Sequence, residues 1–269
     1  MSILRNITIG QYFPGNSVVH RLDPRTKLLL AFGFIIALFA IKSGPAYLVL
    51  GAATLVVILI STVPLRMILR GLRPILIIVS LTLVLHVFTT KEGVLWLQLG
   101  FLRVYSGGVL TGMMLAFRLV LLVMATSIMT LTTSPIALTD GIESLLRPFK
   151  RIGVPAHELA MMMTIALRFI PTLIEEAEKI MKAQLARGAD FESGGLIRRA
   201  KALLPLLIPL FISAFRRADE LAMAMEARCY RGGDSRTKYK ILKYTSLDVI
   251  GGLLFVVLVA AAAAVARLF

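Results

Sequence analysis

Apolar residues gather in six runs, at roughly 28–41, 46–63, 74–90, 104–133, 196–213 and 247–266. A helix needs about 20 apolar residues to cross the hydrocarbon core of a bilayer, with a range near 17–25. The last run meets that length cleanly, and 104–133 does so apart from Arg118. The first is short, and Lys42-Ser43-Gly44-Pro45 separates it from the second. Those two read either as a tight hairpin of spans or as one re-entrant pair. The run 196–213 is weaker. Pro205, Pro209 and the basic flank at Arg198, Arg199 and Lys201 predict a helix under the membrane or packed on its neighbours, not a further span.

Basic residues assign the sides. Arg5, Arg21, Arg25 and Lys27 precede the first run, Arg66, Arg70 and Arg73 lie between the second and third, and Arg147, Lys150 and Arg151 follow the fourth. The other side receives only Lys42, Lys91, Arg103 and Arg267. The bias predicts a cytoplasmic N-terminus, four spans (1–133), a cytoplasmic region (134–243) and a last span (244–269). The expected fold is all-α: about five transmembrane helices plus cytoplasmic helices.

The pattern between 134 and 243 is helical throughout. Ser134 is a candidate N-cap with Pro135 at the first helical position. Pro148 and Gly153 end that helix, and the next starts near Pro155. From Pro171 onward, Leu173, Ile174, Ala177, Ile180, Met181, Gln184 and Leu185 form one stripe at three- and four-residue steps. Gly188 stands where a left-handed C-terminal cap is wanted, so Ala186-Arg187-Gly188 marks a helix end. Residues 218–228 repeat this: "AEKIMKAQLAR" (177–187) aligns on "ADELAMAMEAR" with alanine at 177/218, 183/224 and 186/227. An arginine in the last turn is common, because it complements the helix dipole by about 0.3–1 kcal/mol. Matched spacing and small neighbours add a second reading. A partner's backbone can approach closely, and the guanidinium offers it a directional fork.

Composition sharpens the picture. Hydrophobic residues make up 58% of the 269, which excludes an ordinary soluble domain. The formal net charge is +15, and 18 of the 30 basic and 12 of the 15 acidic residues fall between 140 and 243. The basic excess clusters at the ends of apolar runs, which fits membrane sidedness better than nucleic acid. A single cysteine excludes an intramolecular disulfide framework, and no Cys/His spacing suits zinc. No removable signal peptide is expected, no phosphate-loop motif occurs, and no matched pair of interrupted apolar segments marks a substrate site.

Four stretches resemble a known family. "HRLDPRTKLL" (20–29), "LTTSP" (131–135), "GVPAHELAMMMTIALRFIPTLIEEAEKIMKAQLARGAD" (153–190) and "AMEARCYRGG" (224–233) are similar to EcfT, the T component of energy-coupling factor transporters. The resemblance implies a non-catalytic membrane subunit working with two ABC-type ATPases, EcfA and EcfA′, and a membrane-embedded S component that binds a vitamin or metal ion. It implies a prokaryotic cell membrane, two long crossed coupling helices, no cofactor on this chain, and ATP and Mg on the ATPases. It further implies that Ala186, Arg187 and Gly188 dock on one ATPase and that Ala227, Arg228 and Cys229 dock on the other. Cys229 stands where the family has glycine, which puts close backbone approach there in doubt. Asp23, Arg25, Arg168 and Pro171, within the resembling stretches, are candidates for structural or interface roles.

Other residues carry paired readings. Charge at membrane depth costs at least about 2.5–3.5 kcal/mol. Arg118 is therefore a polar contact holding the bundle or a partner interface, or a snorkelling side chain, or a sign that the span's frame lies elsewhere. His86 reads as packed or interfacial. Asp23 before Pro24 starts a helix, and Arg25 and Lys27 suit anionic headgroups. Met161, Met162, Met163, Met223 and Met225 are either core or an adaptable surface. Two other classes stand beside the coupling subunit: a membrane enzyme with a site near Asp140, Glu143 or His157, and a channel or secondary transporter using Arg118 and His86.

Overall fold

Prolines and their neighbours punctuate this chain, and the helices begin where they fall. The computed structural model describes residues 12–99, 102–191, 195–230, 232 and 241–268. Helix α1 (Val18–Arg21) is capped by the Ser17 side chain. Helix α2 (Pro24–Ala40) opens on Asp23, whose carboxylate accepts from the Arg25 N–H. The next, α3 (Gly44–Ser61), follows after three residues. Helices α4 (Leu65–Thr89), α5 (Ser106–Thr132) and α10 (Ser246–Leu268) supply the remaining long apolar elements of this unit. Residues 12–141 and 241–268 pack together, and 142–230 form a second compact unit.

Among the described residues five helices are long and apolar enough to cross a bilayer: α3, α4, α5, α10 and, in the second unit, α7 (Ala156–Ala186). Helix α2, at 17 residues, lies at the short end of the spanning range. The membership thus differs by one from the runs, because the first part of α7 is itself apolar. Two further differences concern boundaries. Arg66, Arg70 and Arg73 do not lie in a loop but on one exposed face of α4, at helical spacing, opposite buried Ile68 and Leu72. A short antiparallel hairpin, β1 (Leu95–Leu99) and β2 (Leu102–Tyr105), precedes α5, pairing Gln98 with Arg103.

Small residues set the closest packing. Gly108, Gly112 and Ala116 are buried on one face of α5 at four-residue steps. A Cβ at Gly108 would come within 2.8 Å of the His86 carbonyl oxygen, and one at Gly112 within 3.2 Å of that of Leu83. The α5 backbone therefore lies directly on α4, as small-residue stripes permit in membranes. Two apolar clusters fill the rest, one around Phe34, Leu38, Tyr47, Leu50 and Leu121, the other around Ile58, Ile68, Ile128 and Leu131.

Arg118, half-buried on α5, spends its charge on the C-terminal end of α2. Its Nε donates to the Tyr47 hydroxyl at 2.8 Å, and its Nη2 reaches the same hydroxyl and the Ile41 carbonyl at 3.4 Å. Tyr47 in turn donates to the Ile41 carbonyl at 2.7 Å. Cation, hydroxyl and orphan carbonyl thus satisfy one another where the helix dipole is negative. His86 bonds the Thr82 carbonyl of its own helix at 2.9 Å.

A second polar knot ties the chain's two ends. The Asp248 carboxylate accepts from the Asp23 N–H at 2.8 Å and from the Thr245 N–H and hydroxyl at 2.7 Å each. Arg25 grips the Asp23 carboxylate through Nε and Nη2, both at 3.0 Å, and stacks on the Tyr244 ring. Lys27 does not reach toward headgroups. It is buried and donates to the Thr132 carbonyl at 2.8 Å and that of His20 at 3.2 Å. The physical reason is local: α5 and α1 end there with carbonyls that lack helical partners, and an ammonium satisfies several at once.

Replacing Tyr47 with Phe removes the acceptor for Arg118 and leaves a cation short of partners. We expect a loss of about 1.5–3 kcal/mol, the range for a hydrogen bond to a charged group. In detergent melting curves the Tyr47→Phe, Arg118→Met double variant should recover part of that loss. Equal melting of wild type and Tyr47→Phe would contradict the assignment.

Candidate functional site

The second unit is built on two long helices, α7 and α9 (Leu204–Ala227), with the short α8 (Leu196–Ala202) before the latter. Helix α6 (Pro135–Leu146) leads into them through a 3-10 turn, Arg147–Ile152. The Ser134 hydroxyl accepts from the Ala137 N–H at 3.3 Å, and Gly153, at φ 92°, closes the turn ahead of Pro155.

The two helix ends adopt one geometry. At the first, Arg187 is the C-cap and Gly188 sits at φ 85°. The Gly188 N–H returns to the Leu185 carbonyl at 3.0 Å, and the Ala189 N–H to that of Gln184 at 3.0 Å. At the second, Arg228 is the C-cap and Cys229 sits at φ 55°. Its N–H returns to the Glu226 carbonyl at 2.8 Å, and the Tyr230 N–H to that of Met225 at 3.0 Å. Both are Schellman closures, residue for residue in the aligned register. Cys229 therefore holds the left-handed conformation that Gly188 holds freely.

Ala186, Arg187 and Gly188 are exposed, as are Ala227, Arg228 and Cys229. Among the described residues neither Arg187 nor Arg228 has an ion pair or a side-chain hydrogen bond. A Cβ added at Gly188 would meet nothing within 4 Å, so only its backbone angle calls for glycine.

What the sequence pattern missed is the contact that fixes these ends in space. Glu176 of α7 accepts from the Ser213 hydroxyl at 2.6 Å and from Arg217 Nη2 at 2.8 Å, both on α9. Gln184 Nε2 donates to the Pro205 carbonyl at 3.4 Å, and the Tyr230 hydroxyl reaches Met161 Sδ at 3.0 Å. Ascending positions on α7 meet descending positions on α9, so the helices run antiparallel. Pro209 has no N–H for the Pro205 carbonyl one turn earlier, and Gln184 supplies the missing donor. At 1.5 Å per residue this register sets Arg187 and Arg228 roughly 35–40 Å apart, at opposite ends of the pair.

The remaining candidates distribute as follows. Asp23 and Arg25 belong to the knot in the first unit, and Arg118 to its interior. Arg168 is exposed on α7, and Pro171 lies inside that helix, where the Thr172 hydroxyl donates to the Phe169 carbonyl at 2.8 Å. His157 Nδ1 meets Glu143 Oε1 at 3.1 Å across the 3-10 turn. Among the described residues no group of three or more His, Cys, Asp or Glu is placed to hold a metal ion.

The arrangement defines a polytopic helical membrane protein that presents two matched, cationic helix ends. Residues 15–239 match the family model described as CbiQ, cobalt transport protein. Relatives named "Energy-coupling factor transporter transmembrane protein EcfT" include one from Thermosediminibacter oceani, 58% identical over 91% of this chain and 92% of the relative. Another, from Clostridium kluyveri, is 57% identical over 96% of each, and one from Bacillus subtilis is 51% identical over 91% and 93%. The chain belongs to the EcfT family, the transmembrane components of energy-coupling factor transporters.

Relief of the left-handed strain at Cys229 outweighs glycine's unfolded-state entropy. The Cys229→Gly variant should stabilise the end of α9 by roughly 0.5–1 kcal/mol, and Gly188→Ala should weaken the end of α7 by a similar amount. Amide hydrogen exchange at Met225–Tyr230 and at Gln184–Ala189 reads both effects. Faster exchange in Cys229→Gly would contradict the strain argument.

Proposed function

We propose that this chain couples two cytoplasmic ATPases to a substrate-binding S component, and that it does so through its two arginine ends. The observation that carries the reading is the identical left-handed closure behind Arg187 and Arg228 at opposite ends of one antiparallel pair. Each end presents an uncompensated guanidinium between small residues, which suits a groove lined with carboxylates or carbonyls. Two equal plugs suit two similar partners.

In this reading the ATPases hold ATP and Mg and perform the hydrolysis, and this chain is no enzyme. Their closure displaces the two ends, and the Glu176 contact transmits the displacement along both helices. Exposed Met162, Met163, Phe211 and Phe215 give these helices apolar surface for the S component or for lipid. The cargo is a vitamin or a metal ion. The CbiQ description favours the metal ion and the EcfT relatives leave the cargo open. In this reading the N-terminus and the coupling helices face the cytoplasm, which the basic residues beside α2, on α4 and after α6 support.

In complexes reconstituted with the ATPases and an S component, Arg187→Ala and Arg228→Ala should each lower uptake at least about tenfold, as loss of a charged interface anchor predicts. ATP hydrolysis should fall less or become independent of substrate. Full transport with both arginines removed sinks the proposal.

A further inference from the structure

We propose that the outward face of α4 binds an anionic phospholipid, with Arg66, Arg70 and Arg73 on its headgroup and the apolar turns that follow along its acyl chains. The proposal lies wholly within the first unit. It rests on α4 spanning the membrane and does not depend on the coupling reading. Steps of four and three residues keep to one side of an α-helix. From Arg66 such steps pass through Arg70, Arg73, Ile77 and Ser80 to Val84, and every one of these residues is exposed. Ile77, next after the last cation, is 73% exposed, and exposed Leu81 flanks the same line. The Ser80 hydroxyl donates to the Ile77 carbonyl of its own helix at 2.9 Å. The line is therefore cationic at its start and apolar beyond. The opposite face carries the packing: Ile68 and Leu72 are buried, and α5 lies against Leu83 and His86.

The three guanidiniums are unanswered within the protein. Among the described residues none of them has a hydrogen bond, an ion pair or a ring contact, and α4 carries no Asp or Glu. Arginines of the same unit that the fold does use are held: Arg25 by Asp23 and Arg118 by Tyr47. A second observation lies on the same turns. Pro74 has no N–H, so the Arg70 carbonyl loses its helical donor beside the cations. Hydrocarbon offers no substitute, which sets these turns at the depth where water and headgroups supply donors. The apolar part fits in length. Arg73 to Val84 is roughly 16 Å of helix, close to half of a hydrocarbon core of about 30 Å, the share of one leaflet. A phospholipid there meets the guanidiniums with its phosphate and lays its chains along Ile77, Leu81 and Val84. A soluble acidic partner would use the cations but leave the apolar turns in line with them unexplained, so the occupant is a lipid.

The test moves the chain's one tryptophan onto this face, as Trp96→Phe with Leu81→Trp in the full chain, in nanodiscs of phosphatidylcholine. Phosphatidylglycerol or phosphatidylcholine brominated in mid-chain is added at equal mole fraction, and tryptophan quenching is read. Preference for the anionic lipid should be about fivefold or more, the factor that a single cation supplies at such a surface. It should vanish in Arg66→Gln, Arg70→Gln, Arg73→Gln, with quenching by brominated phosphatidylcholine unchanged. Arg70→Gln alone should lower it in part, so the result does not hang on the folding of the triple variant. It should persist in Arg198→Gln, Arg199→Gln, Lys201→Gln, which removes equal charge elsewhere. Equal quenching by the two lipids, no quenching by either, persistence of the full preference in both α4 variants, its loss in the control variant, or its abolition by millimolar inorganic phosphate at fixed ionic strength each overturns the proposal.

Discussion

A backbone carbonyl inside a bilayer has no water to fall back on, and this chain is organised around finding donors for the ones its helices leave open. The end of α2 is answered by the Tyr47 hydroxyl and Arg118, and the end of α5 by the buried ammonium of Lys27. In the second unit the exposed carbonyl that Pro209 abandons is likewise answered by Gln184 from the facing helix. Each donor comes from a different element than the acceptor. Satisfying the backbone therefore also cross-links the fold, and polar residues that look misplaced in an apolar chain become its fasteners.

The same economy shapes the second unit. Its contacts are few, but they fall at both ends and the middle of the helix pair: Tyr230 with Met161, Glu176 with Ser213 and Arg217, and Gln184 with Pro205. A carboxylate held by both a hydroxyl and a guanidinium sets one register, since sliding by a turn would strand a charge. Within the second unit the contact of His157 with Glu143 spans the 3-10 turn ahead of α7.

Local features were largely readable from the residues themselves. Asp23-Pro24 and Ser134-Pro135 start helices where cap chemistry demands, and Gly188 takes the left-handed cap its position implies. Cys229 would not be read as left-handed alone; its alignment with Gly188 through matched alanines makes it so. The hairpin at 95–105 was hidden because its alternation is short and merges into the apolar run of α5. Arg66, Arg70 and Arg73 interrupt the apolar runs without interrupting the helix, because hydropathy records charge, whereas arginine is a good helix former. Lys27 turns inward, and Glu176 finds Arg217 forty-one residues away, for reasons of tertiary contact. No local pattern encodes those.

The antiparallel register has a mechanical meaning. Two forces applied at the ends of a bar shift it sideways when they agree in direction and turn it when they oppose. With Arg187 and Arg228 at opposite ends of α7 and α9, partners moving in step would only carry the bar along, while partners moving against each other would rotate it about its braced middle. If partners dock at both ends, such a lever would ignore shared motion and report the difference.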